Sequence, residues 1–188
     1  DREFEATNRP WVSVDVTSVQ DLIFSHGMMP TSRFAFTLRN GGKTPATQVV
    51  VEYAIAPPNV DYLHLQREIA ARGITSGRAR VGGLTVFPGI PEYSHLPWQM
   101  EPAALRAWHG WLNLPQPGGS SAAPVYLVGC VTYRATYSGR TYQTGFIRAL
   151  RAVSPETSSS VPVDPRGGDL AKDRIIFGPS EAGDSMIT

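Results

Sequence analysis

The chain has one cysteine, Cys130, two lysines, Lys43 and Lys172, and no apolar run long enough to cross a bilayer as a helix. Each shortage excludes something. A lone thiol cannot form an internal disulfide or a CxxC metal site. The remaining cations are scattered arginines, and the formal net charge is +1. That gives no local cluster to neutralise a phosphate backbone, so nucleic acid is not an expected partner. The four histidines, His26, His64, His95 and His109, form no HxH or HExxH pattern and no Cys/His spacing. No metal or other cofactor is therefore expected. There is no GxSxG elbow, the usual mark of a serine hydrolase. Cys130 alternates within an apolar stretch, where a small buried thiol is the ordinary case.

What the chain does have is alternation with a period of two. In WVSVDVTSV, Val12, Val14 and Val16 share one face; in RFAFTL, Phe34, Phe36 and Leu38 do. TQVVVEYAIA is rich in β-branched and aromatic residues, and LTVF at 84–87 is closed by Pro88 and Gly89. The segments 125–136 and 140–153 flank Tyr137-Ser138-Gly139, a tight-turn sequence. Short strands separated by Pro/Gly loops predict an all-β chain, an antiparallel sandwich. Two helical insertions interrupt it, near 61–73 and 91–115. In the first, YLHLQREIAAR ends at Gly73, a C-cap position. In the second, Pro102 opens a stretch that places Ala104, Ala107, Trp108, Trp111 and Leu112 on one stripe.

The sequence LRNGGKTPATQVVV poses the question of a phosphate-binding loop. GxxxxGK[ST] needs its first glycine at position 37, where Thr37 stands, and it should lead into a helix rather than Pro45 and a run of valines. Nucleotide binding is set aside. Asn40-Gly41-Gly42 instead supplies residues that accept positive φ, and Asn40 can hydrogen-bond its own loop.

That segment, LRNGGKTPATQVVVEYAI, resembles the strand–Asn-x-Gly-x-Thr-Pro-Ala–strand unit of bacterial immunoglobulin-like domains, and Arg9-Pro10-Trp11-Val12 resembles their opening strand. The later hairpin is similar to theirs through Gly129, Val131, Tyr133, Gly139, Thr144 and Phe146. Ala135 stands where an acidic residue is often found, so no role for that carboxylate carries over. The resemblance spans about 9–153 without the insertions. It implies an immunoglobulin-like fold of the kind found in membrane-anchored proteins, and no activity. The chain begins at Asp1 rather than Met, so residues 1–9 are read as a lead-in, with a signal peptide, anchor helix or tag expected upstream. The setting expected is membrane-associated and extracytoplasmic.

Residues 154–188 are Ser/Pro-rich and carry little apolar material beyond Ile175, Ile176 and Phe177. This extended tail is expected to lie on a surface, the chain's own or, preferably, a partner's. Tyr93, Trp98, Trp108 and Trp111 crowd the second insertion. They either cover an open end of the core or anchor a partner, since such rings are common interface hot spots. Trp98 is better placed for exposure, while Trp108 and Trp111 are better placed for the core. The functional expectation is a non-catalytic assembly subunit that docks protein subunits through the aromatic insertion and the tail. The alternative is a carbohydrate-binding module using the same rings.

Overall fold

The computed structural model of the chain describes residues 8–23, 32–56, 60–75, 83–97, 125–163, 169–179 and 186–187. Its strands are β1 (Val12–Ser18), β2 (Arg33–Asn40), β3 (Ala46–Ala56), β4 (Leu84–Val86), β5 (Glu92–Pro97), β6 (Val125–Ala135), β7 (Thr141–Val153), β8 (Ser160–Pro162), β9 (Ile175–Pro179) and β10 (Met186–Ile187). One α-helix, α1 (Tyr62–Thr75), follows β3. Among the described residues the chain is thus mostly β, in two antiparallel sheets. The smaller has the order β1-β2-β5 and the larger β10-β7-β6-β3-β4, with β8 and β9 also on β7.

The alternation read from the sequence sets the faces. Val12, Val14 and Val16 are buried while Ser13, Asp15 and Thr17 are exposed. Phe34, Phe36 and Leu38 are buried on the matching face of β2. These side chains meet those of the larger sheet in one core that includes Val49, Val131, Phe146 and Leu150. Phe36 lies 5.4 Å from Tyr53 and 5.9 Å from Phe146, ring centre to ring centre, so the two sheets share aromatic contacts. Gly129 leaves room for one of those rings, because a Cβ there would collide with Phe146. Strand β2 departs from the half-buried expectation, since Ala35 and Thr37 are buried too. It is the central strand of its sheet, and these small residues are flanked by Thr17 and His95, and by Asp15 and Tyr93.

The larger sheet is covered on its second face as well. Ile69 and Ala70 of α1 pack with Ala56, Val128, Cys130 and Ile147. Asp61 opens the helix, its Oδ1 accepting from His64 N–H at 2.9 Å. Gly73 is not the cap it was expected to be, because α1 continues to Thr75. Gln143 ties helix to sheet, its Nε2 donating to the Ala70 carbonyl at 2.8 Å and to Thr132 Oγ1 at 3.1 Å. The second insertion begins as a strand, β5, paired along β2; the helix expected over 102–114 lies outside the described residues.

The described strands of the Ser/Pro-rich tail, β8, β9 and β10, pair with the chain's own sheet. Strand β7 pairs with β6 as far as Val125↔Leu150. Beyond that, Arg151 and Ala152 each have two ladder partners, one in β8 and one in β9. Since β9 also pairs with Arg148–Leu150, which β6 pairs too, β9 must lie on the side away from β6. Strand β8 then continues the line of β6. The tail also bridges the sheets: Leu170 pairs with Leu22, and Phe177 meets Phe34 edge-on at 5.1 Å. Val163, Leu170 and Ile175 all belong to the common core.

Candidate interaction surface

The segment that posed the nucleotide question is the organising turn of one end of the molecule. Asn40 is buried, and all four of its side-chain hydrogen-bonding directions have backbone partners. Oδ1 accepts from Trp11 N–H at 3.0 Å and from Gly42 N–H at 2.9 Å. Nδ2 donates to the carbonyls of Thr44 at 2.8 Å and Val86 at 3.0 Å. One side chain therefore fixes the start of β1, the β2–β3 turn and the end of β4. The chain passes from this turn directly into β3, with no helix N-terminus to meet a phosphate.

The glycines of this turn serve a purpose other than the one expected. The positive-φ glycines among the described residues are Gly89 and Gly139, not Gly41 or Gly42. Gly42 is required by close approach instead. A Cβ there would strike the Arg9 carbonyl and lie 2.7 Å from Pro10 Cα. Thr44 Oγ1 donates to the Asn8 carbonyl at 2.6 Å, which holds the N-terminal segment down on the turn.

Two further turns are tied to this one. Gly89 N–H donates to the Asn40 carbonyl at 3.2 Å, bringing in the β4–β5 connection. Thr136 Oγ1 donates to the Pro45 carbonyl at 2.8 Å, bringing in the β6–β7 hairpin. The register agrees, with Val12 opposite Asn40, Ala46 opposite both Val86 and Ala135, and Glu92 opposite Leu38. These tips present large apolar side chains to solvent: Trp11 is 40% exposed, Phe87 48%, Ile90 56% and Tyr137 45%. The Arg9 guanidinium lies 4.0 Å from the Trp11 ring centre and 5.9 Å from that of Tyr142, which stacks on Tyr133 at 6.0 Å. The result is a rim of exposed rings and aliphatics on a rigidly hydrogen-bonded base.

The residues singled out in the sequence fall elsewhere. Tyr93 is 61% exposed on the outward face of β5, beside the rim. Trp98, Trp108 and Trp111 lie outside the described residues. Ile175 faces the chain's own core and is 6% exposed, Phe177 is half-buried against Phe34, and Ile176, on the alternate face of β9, is 37% exposed. The alternation of a paired strand turns Ile175 inward, away from any partner. The rim residues Trp11, Phe87, Ile90 and Tyr137 were missed. Each stands beside Pro or Gly at a strand end: Pro10-Trp11, Phe87-Pro88, Gly89-Ile90-Pro91 and Tyr137-Ser138-Gly139. A large apolar residue inside turn chemistry was the available signal.

The titratable residues described do not assemble. Cys130 is buried beneath α1, and His95 is exposed on the outer side of the other sheet, so the common core separates them. Burial pushes the thiol up to about 11; a hydrogen bond from Thr132 opposes the rise and the Glu52 carboxylate adds to it. His64 is exposed and lies 3.6 Å from Glu68 one helical turn on. Among the described residues no three His, Cys, Asp or Glu side chains gather as a metal site, and no helix is long and apolar enough to cross a membrane. No family model, curated protein or solved structure matches this chain.

Proposed function

We propose that this chain is a non-catalytic docking domain, an immunoglobulin-like β-sandwich whose loop end carries the contact surface. The observation that supports it most is the convergence of Trp11, Phe87, Ile90 and Tyr137 on turns tied together by Asn40 and, for the β6–β7 hairpin, by Thr136. Side chains of this size left in water on a pre-organised base lose little freedom on binding and remove much apolar surface from water. The immunoglobulin-like assignment rests on two antiparallel sheets with a common core together with the hairpin resemblance; the covering helix and the paired tail are additions to that plan. A bacterial, membrane-associated assembly is the setting that the same resemblance implies.

The test is fractionation of the native cell extract with the full chain carrying Trp11→Ala, Phe87→Ser and Ile90→Ser together. The variant should leave the large assembly and run as a free, folded chain, while the distant Val161→Ser keeps its place. Unchanged migration of the rim variant would refute the reading. A carbohydrate-binding alternative is favoured by Tyr93, whose ring stands exposed next to the small side chain of Thr37. Saturable quenching of tryptophan fluorescence by oligosaccharides, lost in Tyr93→Ala, would select it.

A further inference from the structure

The cations that look scattered in the sequence are sorted by the fold. Among the described residues, the turns and strand termini of the rim carry Arg9, Lys43 and Arg140 against a single acid, Glu92. At the opposite end, the described turns and strand termini carry Asp21, Asp61, Glu156, Asp169 and Asp173. Against these stand Arg33, Lys172 and Arg174. Among the described turns and strand termini, the aromatic end is therefore positive and the other end negative.

We infer that the rim docks end-on to an anionic lipid surface, its rings and aliphatics entering the headgroup region and its cations meeting lipid phosphates. This rests on the docking reading above and names the kind of partner. Three features of the rim carry it. Trp and Tyr are amphipathic rings suited to a bilayer interface, and Phe87 and Ile90 supply apolar tips beside them. Arg and Lys have apolar stems that lie along such a surface while the charge stays at the phosphates. The apolar residues project from separate turns, with Arg9 and Arg140 beside two of them and Lys43 in the neighbouring β2–β3 turn, rather than forming one dry patch ringed by polar groups as a protein interface does. The acidic far end completes the argument. An anionic surface attracts one end and repels the other, so the long-range field orients the molecule before contact. Neither contribution holds the chain alone; a few cations and a few apolar side chains act as the two signals that stable peripheral binding needs.

The test uses the full chain and flotation with vesicles of phosphatidylcholine alone or with about one third phosphatidylserine, at low and at high salt. The chain should bind the mixed vesicles at low salt and neither the neutral vesicles nor, at high salt, the mixed ones. Lys43→Gln with Arg140→Gln should weaken partitioning roughly 25-fold, about fivefold for each charge at about 1 kcal/mol per cation near an anionic leaflet. Phe87→Ser with Ile90→Ser should weaken it while leaving its salt dependence. Lys172→Gln at the far end should leave it unchanged. Circular dichroism confirms that each variant is folded. Equal binding to neutral and anionic vesicles, binding to neither, or rim-charge variants that bind like the parent would each overturn the inference. A parent chain that ignores vesicles while the rim variant still leaves its cellular assembly refutes the lipid and leaves the docking reading standing, with an acidic protein as the partner. Salt-sensitive self-association through the rim, seen in sedimentation without vesicles, would overturn the lipid in favour of a second copy of this chain. A rim variant that changes neither measurement removes both readings.

Discussion

Replacing Asn40 with alanine removes four hydrogen bonds at the point where β1, the β2–β3 turn and β4 meet. The Val86 carbonyl is left buried without its donor, a cost of about 1–3 kcal/mol. The other three partners, Trp11 N–H, Gly42 N–H and the Thr44 carbonyl, are partly buried and recover some water, at about 0.5 kcal/mol each. The total is about 3 kcal/mol. With an m-value of about 2 kcal/mol/M for urea, the unfolding midpoint should fall by about 1.5 M at unchanged slope. Asn40→Asp makes a sharper test. It keeps the two accepted bonds, loses the two donated ones, and turns a carboxylate oxygen toward the Thr44 and Val86 carbonyls. Near neutral pH it should be at least as damaging as alanine. In acid, where the protonated carboxyl can donate once, the deficit relative to the parent at the same pH should shrink. An alanine shift below about 0.5 M, or an aspartate variant as stable as the parent, would refute the role given to Asn40.

Two further outcomes follow from the core. Ile175→Ala should cost about 3 kcal/mol and lower the melting temperature, because Ile175 is packed in the common core; truncation after Val153 should leave an unfolded or aggregating chain, whereas a loose tail would leave both untouched. Stability should also decline in alkali. Folding raises the Cys130 thiol from its ordinary 9.0 to about 11, so its contribution is complete below pH 9 and is lost as pH rises through about 11. Tyr53 and Tyr62, both pushed up to about 12 by burial, extend the decline above pH 10. In Cys130→Ala the slope between pH 9 and 11 should flatten, and an unchanged slope in urea unfolding would contradict it.

The strand faces were legible because burial on a pleated strand is a local, period-two property, and β1 and β2 show it directly. Asn40 was legible as a turn residue because its side chain bonds within its own loop. Its bonds to Trp11 and Val86 were not, because they join residues 29 and 46 positions away. Glycine misled in a similar manner: sequence reasoning assigned Gly42 a backbone conformation, whereas the constraint comes from Arg9 and Pro10 lying across it. The tail was read from its composition as an extended segment lying on a surface, preferably a partner's. Its described strand β9 instead pairs along the edge of β7, where Ile175 and Phe177 find a core already built by other strands. The rim escaped notice for the same reason. Its apolar residues come from three separate stretches of sequence, and only the topology brings those turns to one end.

The claim that the loop end is the working surface is tested most directly by a photo-activatable residue placed at Ile90 and, in a second chain, at Val161 on the opposite end, each irradiated in the native cell. The account predicts adducts, whether lipid or protein, at position 90 and none at position 161. Adducts at 161 alone, or none at 90 from a folded chain, would contradict it.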